Sequence, residues 1–206
     1  MVAIFFFYTF CGKIKNMRDK ETEKNSIWTE FIEFIRDIVI SFVVIFVVFH
    51  FLVRPVQVKG SSMFPTLKDG DFAFSNVLGK SMGNIKRFDI VIIHIPEKNE
   101  YIVKRVIGLP GETVEYRQDQ LYIDGEAVQE PFFDEEYRQD YIQEYGNSFT
   151  SDIASITLGE DEYYCLGDNR PNSSDSRVYG PFHKDKISSK GLFVLFPFSE
   201  AGIKTW

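Results

Sequence analysis

Sixteen consecutive residues without a charge, Ile38 to Val53, constrain this chain more than any other stretch. Arg36-Asp37 closes the run on one side and Arg54-Pro55 on the other. As a helix rising about 1.5 Å per residue it covers roughly 24 Å, short of the ~30 Å hydrocarbon core of a bilayer. The preceding turns lengthen it. Trp28, Phe31, Ile32 and Ile35 recur at helical spacing, with Glu30, Glu33 and Asp37 elsewhere on the wheel. The pattern predicts an amphipathic lead-in at the interface that runs into a transmembrane helix over 38–53. Pro55 ends it, and Arg54, placed before a proline, is expected to be extended. The competing reading is a core helix of a soluble protein, against which stand Phe, Val and Ile on every face.

The division that follows is a cytoplasmic segment over 1–37, a single span over 38–53, and an extracytoplasmic domain over 54–206. Lys13, Lys15, Arg18, Lys20, Lys24 and Arg36 precede the run, and Arg54, Lys59 and Lys68 follow it. That bias places the N-terminus inside the cell membrane. Met1 to Gly12 is apolar, without a positive leader or a small-residue cleavage site, so it does not read as a signal peptide. Met17-Arg18-Asp19-Lys20 reads as a cytoplasmic leader and makes Met17 a second candidate start.

A formal net charge of −7 argues against nucleic acid as a general partner. The charge is local: between Asp124 and Glu162 twelve acidic residues face Arg138 alone, a net of −11, and the remainder of the chain sums to +4. Such a block reads as solvated surface. Cys11 and Cys165 cannot form a disulfide framework, so the redox compartment stays open.

Beyond Pro55 the patterns have the period of strands. Val56 and Val58 alternate with Gln57 and Lys59 toward Gly60; Phe72 to Phe74 follows the Gly70-Asp71 turn; Phe88 to Ile95 ends at Pro96. Tyr101 to Ile107 ends at Leu109-Pro110-Gly111, and Thr113 to Tyr116 and Leu121 to Ile123 precede the Asp124-Gly125 turn. From Glu126 to Glu160 turn residues and acids dominate and read as an insertion on the main sheet, about 124–162 in all. Tyr163 to Leu166 and Gly191 to Phe196 resume the apolar pattern. The domain reads as mostly β, antiparallel and coiled. Glu-Tyr-Arg-Gln-Asp occurs at 115 and again at 136, too little for a repeat fold.

Chemistry points first to Gly60-Ser61-Ser62-Met63-Phe64-Pro65, two adjacent hydroxyls seven residues past the apolar run. A hydroxyl is a poor nucleophile until a base takes its proton. Of three histidines, His50 lies in the apolar run, His94 on a strand that reads as buried, and His183 has no partners apparent in the sequence. Lysine serves if burial lowers its pKa from about 10.4. Period two places Ile102, Lys104 and Val106 on one strand face, a desolvating position for an ammonium. The alternative is an edge-strand lysine reaching out to water. Gly167 to Arg177 is dense in short polar side chains and reads either as a loop held by local hydrogen bonds or as the support of a site. It is not an EF-hand, having no glycine at the sixth position.

Together, Ser62-Met63-Phe64-Pro65-Thr66-Leu67, Gly70-Asp71, Arg87-Phe88-Asp89-Ile90-Val91, Tyr101 to Gly111, and Gly167 to Arg177 with Tyr179-Gly180 resemble the type I signal peptidases, membrane-anchored serine-lysine proteases. The resemblance implies Ser62 as nucleophile, since the family's serine directly precedes the methionine, and Lys104 as general base. It implies Ser173 at the lysine nitrogen, with Asp175 and Arg177 bracing the loop. It implies a large coiled antiparallel β-sheet catalytic domain with a smaller inserted subdomain. The implied substrates are signal-peptide-bearing preproteins cut after small residues of the Ala-X-Ala type, at a lipid bilayer and near the export machinery, without cofactor or metal. Gly60 departs from those members that carry a hydroxyl two residues before the nucleophile, so the Ser62 N–H is expected to carry more of the oxyanion hole. Val58, Met63, Leu67 and Ile102 are the candidates for shallow substrate pockets, or else ordinary core.

Two other readings compete with this one. A self-cleaving repressor-type serine-lysine protease would be soluble with a DNA-binding head, where this chain has its apolar run. A catalytically idle tethered binding module would lack Ser62 or Lys104, and both are present.

Overall fold

Strand β1 (Val53–Gln57) already begins inside the apolar run. It lies antiparallel to β2 (Phe72–Asn76), with Pro55 opposite Phe74. The proline is tolerated because β1 is the end strand of its sheet and one face of it needs no ladder donor. The computed structural model describes residues 24–47, 53–76 and 85–204, and the chain divides into two units, Met1–Phe46 and Val47–Trp206.

In the first unit α1 (Lys24–Val47) is one helix of 24 residues. The expected lead-in and the start of the apolar run are thus continuous across Arg36-Asp37, a pair that closes on itself at 2.9 Å. Trp28, Phe31 and Ile32 each expose more than half of their surface. Among the described residues no helix is long and apolar enough to cross a membrane. The span expected over 38–53 is described only to Val47; residues 48–52 lie outside the described ones, as do 1–23 with Cys11 and Met17.

The second unit is built on two antiparallel sheets among the described residues. The larger runs β1–β2–β11–β3–β4–β9–β10, with β12 also paired to β11. Its further strands are β3 (Ile90–Ile95), β4 (Glu100–Gly108), β9 (Glu162–Leu166), β10 (Phe182–His183), β11 (Ile187–Phe196) and β12 (Gly202–Lys204). The smaller runs β7–β6–β5–β8, from β5 (Thr113–Arg117), β6 (Gln120–Ile123), β7 (Glu126–Val128) and β8 (Ile153–Thr157). It therefore starts ahead of the acidic block.

Alternation on β3 shows why the large sheet holds. Ile90 and Ile92 pack on one side with Met63, Leu67, Ala73, Leu192 and Val194. Val91, Ile93 and Ile95 pack on the other with Val106, Cys165, Phe182 and Ile187. The strand is apolar on both faces because both are covered. It starts two residues later than Phe88, which adopts φ 70°, while the Asp89 carboxylate accepts from the Lys86 N–H at 2.6 Å.

The acidic block contains a helix that the sequence reading did not foresee, α2 (Glu135–Tyr145). Asp134 caps its N-terminus by accepting from the Tyr137 N–H at 3.1 Å, and Gly146 ends it at φ 66°. Those two residues and the acids of the first turn were the available signal. Apolar periodicity was absent because the inward side chains are Tyr137 and Tyr141, both edge-on to Phe149.

Candidate active site

Ser62 stands in the turn between β1 and β2. The Phe64 N–H donates to the Ser61 carbonyl at 3.0 Å and the Leu67 N–H to that of Met63 at 2.9 Å, so the segment winds in successive turns. Gly60 enters it at φ 83°, a backbone region that favours glycine, and its N–H donates to Asp69 at 2.7 Å. Met63 and Leu67 are sealed in the core, which leaves Ser62 half-buried on the turn.

Lys104 lies on β4 opposite Val91, with Ile102 and Val106 on its own face. It is 3% exposed. Its Nζ donates to Ser62 Oγ at 2.7 Å and to the Val103 carbonyl at 3.0 Å. Burial pushes its pKa down from 10.5 to about 8, against the pull of the Asp175 and Asp168 carboxylates. A neutral amine is thus accessible near neutral pH, in contact with a hydroxyl.

The Gly167–Arg177 loop closes over this pair. Gly167 must be glycine: a Cβ there would sit 2.2 Å from Ser173 Oγ and 2.4 Å from the Ser62 carbonyl oxygen. Asp175 accepts from the Gly167 N–H at 3.0 Å and caps α3 (Ser176–Tyr179) through the Arg177 N–H at 3.2 Å. The Arg177 guanidinium grips it through Nε at 2.9 Å and Nη2 at 2.8 Å, and Nη2 also donates to the Arg170 carbonyl at 2.6 Å. Burial raises the Asp175 carboxyl, but Arg177, the Gly167 N–H and the neighbouring Ser173 hydroxyl outweigh it and hold its pKa below the usual range.

The contact from Ser173 to the lysine nitrogen implied by the resemblance is absent. Ser173 Oγ is buried against Gly167, beside the Asp175 carboxylate, and meets no hydrogen-bond partner among the described residues. Of the four pocket candidates, Val58, Met63 and Leu67 are core side chains, and Ile102 alone keeps partial exposure. Gly60 contributes no side chain, and among the described residues the Ser62 N–H has no acceptor.

Three supports went unread in the sequence. Asn169 donates from Nδ2 to the Ser61 carbonyl and from its N–H to the Ser62 carbonyl, both at 3.1 Å. Arg105, next to Lys104 on the opposite strand face, binds Asp168 through Nε at 2.8 Å and Nη2 at 2.7 Å. Arg170 reaches the smaller sheet, pairing with Glu130 and donating to Tyr116 Oη and Thr150 Oγ1, each at 3.0 Å. A charged residue in an otherwise apolar strand requires a buried partner, so Arg105 was the findable one.

An antiparallel β frame that buries an amine against a hydroxyl suits hydrolysis through a nucleophilic hydroxyl. The family model described as signal peptidase, peptidase S26, matches residues 31–196. Signal peptidase I P of Bacillus subtilis subsp. natto is 42% identical over 169 residues, 82% of this chain and 90% of that protein. Signal peptidase I T of Bacillus subtilis strain 168 is 40% identical over 187 residues, 90% of this chain and 95% of that one. A crystal structure of a signal peptidase I from Enterococcus faecalis V583 is 35% identical, covers 54% of this chain and 97% of that chain, and has a TM-score of 0.44. The chain belongs to the S26 signal peptidase family, among the bacterial type I enzymes, and is a peptidase.

Proposed function

We propose that this chain is a membrane-anchored serine endopeptidase that removes N-terminal signal peptides from exported preproteins, working through a Ser62–Lys104 dyad. The observation that carries the reading is the 2.7 Å contact between Lys104 Nζ and Ser62 Oγ in a site that lowers the lysine pKa to about 8. Neutral Lys104 takes the hydroxyl proton as Oγ bonds to the scissile carbonyl carbon. The tetrahedral oxyanion forms against the Ser62 N–H. The C–N bond then breaks as the lysine passes its proton to the leaving amine, leaving an acyl ester on Ser62. Lys104 next takes a proton from water, which attacks the ester, and the proton returns to Oγ as the acid departs. Asp175 and Arg177 hold the Gly167 loop over the pair, with Ser173 beside it.

Substrate binds extended along β4 and the approach to the serine turn. Ile102 and Val103 are partly exposed apolar residues there, and Val58, Met63 and Leu67 already fill the core beneath, an arrangement that suits small side chains of the Ala-X-Ala type. Anchoring in the cell membrane, with the N-terminus inside and the β domain on the extracytoplasmic face, is supported by the apolar run of 38–53 and by the exposed apolar side chains of α1. It brings the site to the surface where preproteins emerge. The test is cleavage of a preprotein in detergent micelles by the parent chain, Ser62→Ala and Lys104→Ala. Both variants are expected to be inactive, and full processing by either removes the dyad.

A further inference from the structure

The peptide that joins Ser61 to Ser62 carries both the Ser61 carbonyl and the Ser62 N–H, on opposite edges of one plane. Whatever holds the carbonyl therefore aims the N–H. The Ser61 carbonyl is held by two donors, the Phe64 N–H at 3.0 Å from within the turn and Asn169 Nδ2 at 3.1 Å from the facing loop. An amide side chain can present either its oxygen or its nitrogen, and only its partners decide which. A carbonyl accepts only, so Nδ2 must face Ser61, and Oδ1 faces the other way, where Tyr137 Oη donates to it at 3.3 Å.

Tyr137 comes from α2, within the chain's acidic block, and is itself firmly seated. Its ring lies edge-on to Phe149 at 5.8 Å and to Phe64 at 5.1 Å. Phe149 is buried, and its N–H donates to Asp119 at 2.8 Å. One tyrosine thus touches the nucleophile turn twice, by its ring on Phe64 and by its hydroxyl through Asn169.

We propose that Tyr137 is a positioning residue for the reaction: through Asn169 it orients the peptide whose N–H receives the oxyanion. It gives α2 of the acidic block a part in catalysis without any contact to substrate. The inference deepens the proposed function and rests on Ser62 as the nucleophile. It has particular weight in this chain because Gly60 supplies no side-chain donor, so the direction of one backbone N–H decides most of the oxyanion binding.

The test is steady-state cleavage of a peptide substrate by Tyr137→Phe, Tyr137→Ala, Asn169→Ala and the Asn169→Ala/Tyr137→Phe pair, beside inhibition by a peptide aldehyde that forms a tetrahedral adduct with the serine. Losing the hydroxyl is expected to lower kcat about threefold to tenfold, the range of one ordinary hydrogen bond. Losing the ring as well is expected to lower it about tenfold to a hundredfold, as misplacement of a reacting group does. KM should stay near its parent value, aldehyde affinity should fall in step with kcat/KM, and the rise of kcat/KM with pH should keep its midpoint. In the double variant, Tyr137→Phe should add nothing to Asn169→Ala, because the hydroxyl acts through the amide. Unchanged kcat in both tyrosine variants overturns the proposal. So does a rise in KM alone, which makes Tyr137 a substrate contact, or a lower melting temperature with no kinetic change, which makes it structural. Ser62→Ala run alongside separates the two readings: activity there sinks the dyad, whereas its loss with normal tyrosine variants sinks only the strut.

Discussion

Arg105 and Asp168 close a two-pronged ion pair, 2.8 and 2.7 Å, with side chains 0% and 2% exposed. The third prong of Arg105, Nη1, donates to the Phe88 carbonyl at 2.8 Å, and the guanidinium stacks over Phe132 at 4.0 Å. The residue before it on β4 is Lys104 and the residue after its partner is Asn169, so one buried pair sets the spacing between the lysine strand and the loop that holds the serine turn.

Breaking this pair should cost more than its attraction alone, because the survivor is left charged and buried. Asp168→Ala is expected to lower the unfolding free energy by about 3–5 kcal/mol. Arg105→Lys should also destabilise, since an ammonium cannot reproduce the fork or the stacking. Urea unfolding followed by circular dichroism measures both. A shift in midpoint below a tenth of the parent value for Asp168→Ala would contradict the account.

Lys104 links activity and stability to pH in a defined direction. In the proposed mechanism Lys104 acts as the neutral amine, so kcat/KM should rise with pH through an apparent pKa of about 8. The folded pKa is lowered from 10.5 to about 8, so between these values the unfolded chain binds the extra proton and stability rises with pH. Below about pH 8 the destabilisation by the buried ammonium is complete, roughly 3 kcal/mol by the usual conversion. Lys104→Met should therefore abolish cleavage yet raise the melting temperature at pH 7, with the gain vanishing toward pH 10.5. Thermal melts across that range check the sign.

Lys104→Arg keeps the charge and loses the chemistry. A guanidinium does not release its proton near neutral pH, so turnover should be undetectable at every pH up to 10. Measurable cleavage by this variant would mean that the residue acts only as a fixed positive charge.

Gly167→Ala adds one methyl where no room exists. With Ser173 Oγ at 2.2 Å and the Ser62 carbonyl oxygen at 2.4 Å from the new carbon, the loop or the serine turn must move. Activity is expected to fall by about a hundredfold or more, with a stability loss of about 1–3 kcal/mol. Kinetics and unfolding on the same preparation give both values.

Much of the frame was legible because it is written in local periodicity. Ile102, Lys104 and Val106 alternate within β4, and Ile90 to Ile95 is apolar throughout β3 because the strand is covered on both sides. The Asp124-Gly125 turn was readable from its glycine, whereas Gln118-Asp119, which reverses the chain between β5 and β6 with φ 51° and 65°, has none. There the turn is stabilised from outside: the Gln118 N–H donates to Asp152, and the Asp119 carboxylate accepts from the Phe149 and Thr150 N–H groups. Phe88 prolongs the apolar run of β3 in the sequence, and its own apolarity hides the turn that Asp89 makes.

The repeated pentapeptide marks the limit of local reading. Glu115-Tyr116-Arg117 lies on β5, whereas Glu136 to Asp140 lies within α2. Tyr116 is sealed in the core beside Arg170, and Tyr137 is half-buried on the serine turn. Identical residues carry the same propensities, so the difference comes from what each segment meets: a paired strand in one case, an aspartate cap and the face of Phe149 in the other.

By itself the sequence determined an apolar N-terminal run, an antiparallel domain beyond Pro55, a serine turn, and a lysine held between apolar neighbours on a strand, since each depends on residues within a few positions. Only the tertiary structure decided that Lys104 meets Ser62, that Asn169 holds Ser61, and that Arg105 and Arg170 bury their charges against Asp168 and Glu130. These contacts join residues 40 to 108 positions apart. No local preference encodes them; they follow from the register of two sheets and from the cost of leaving a buried charge without its partner.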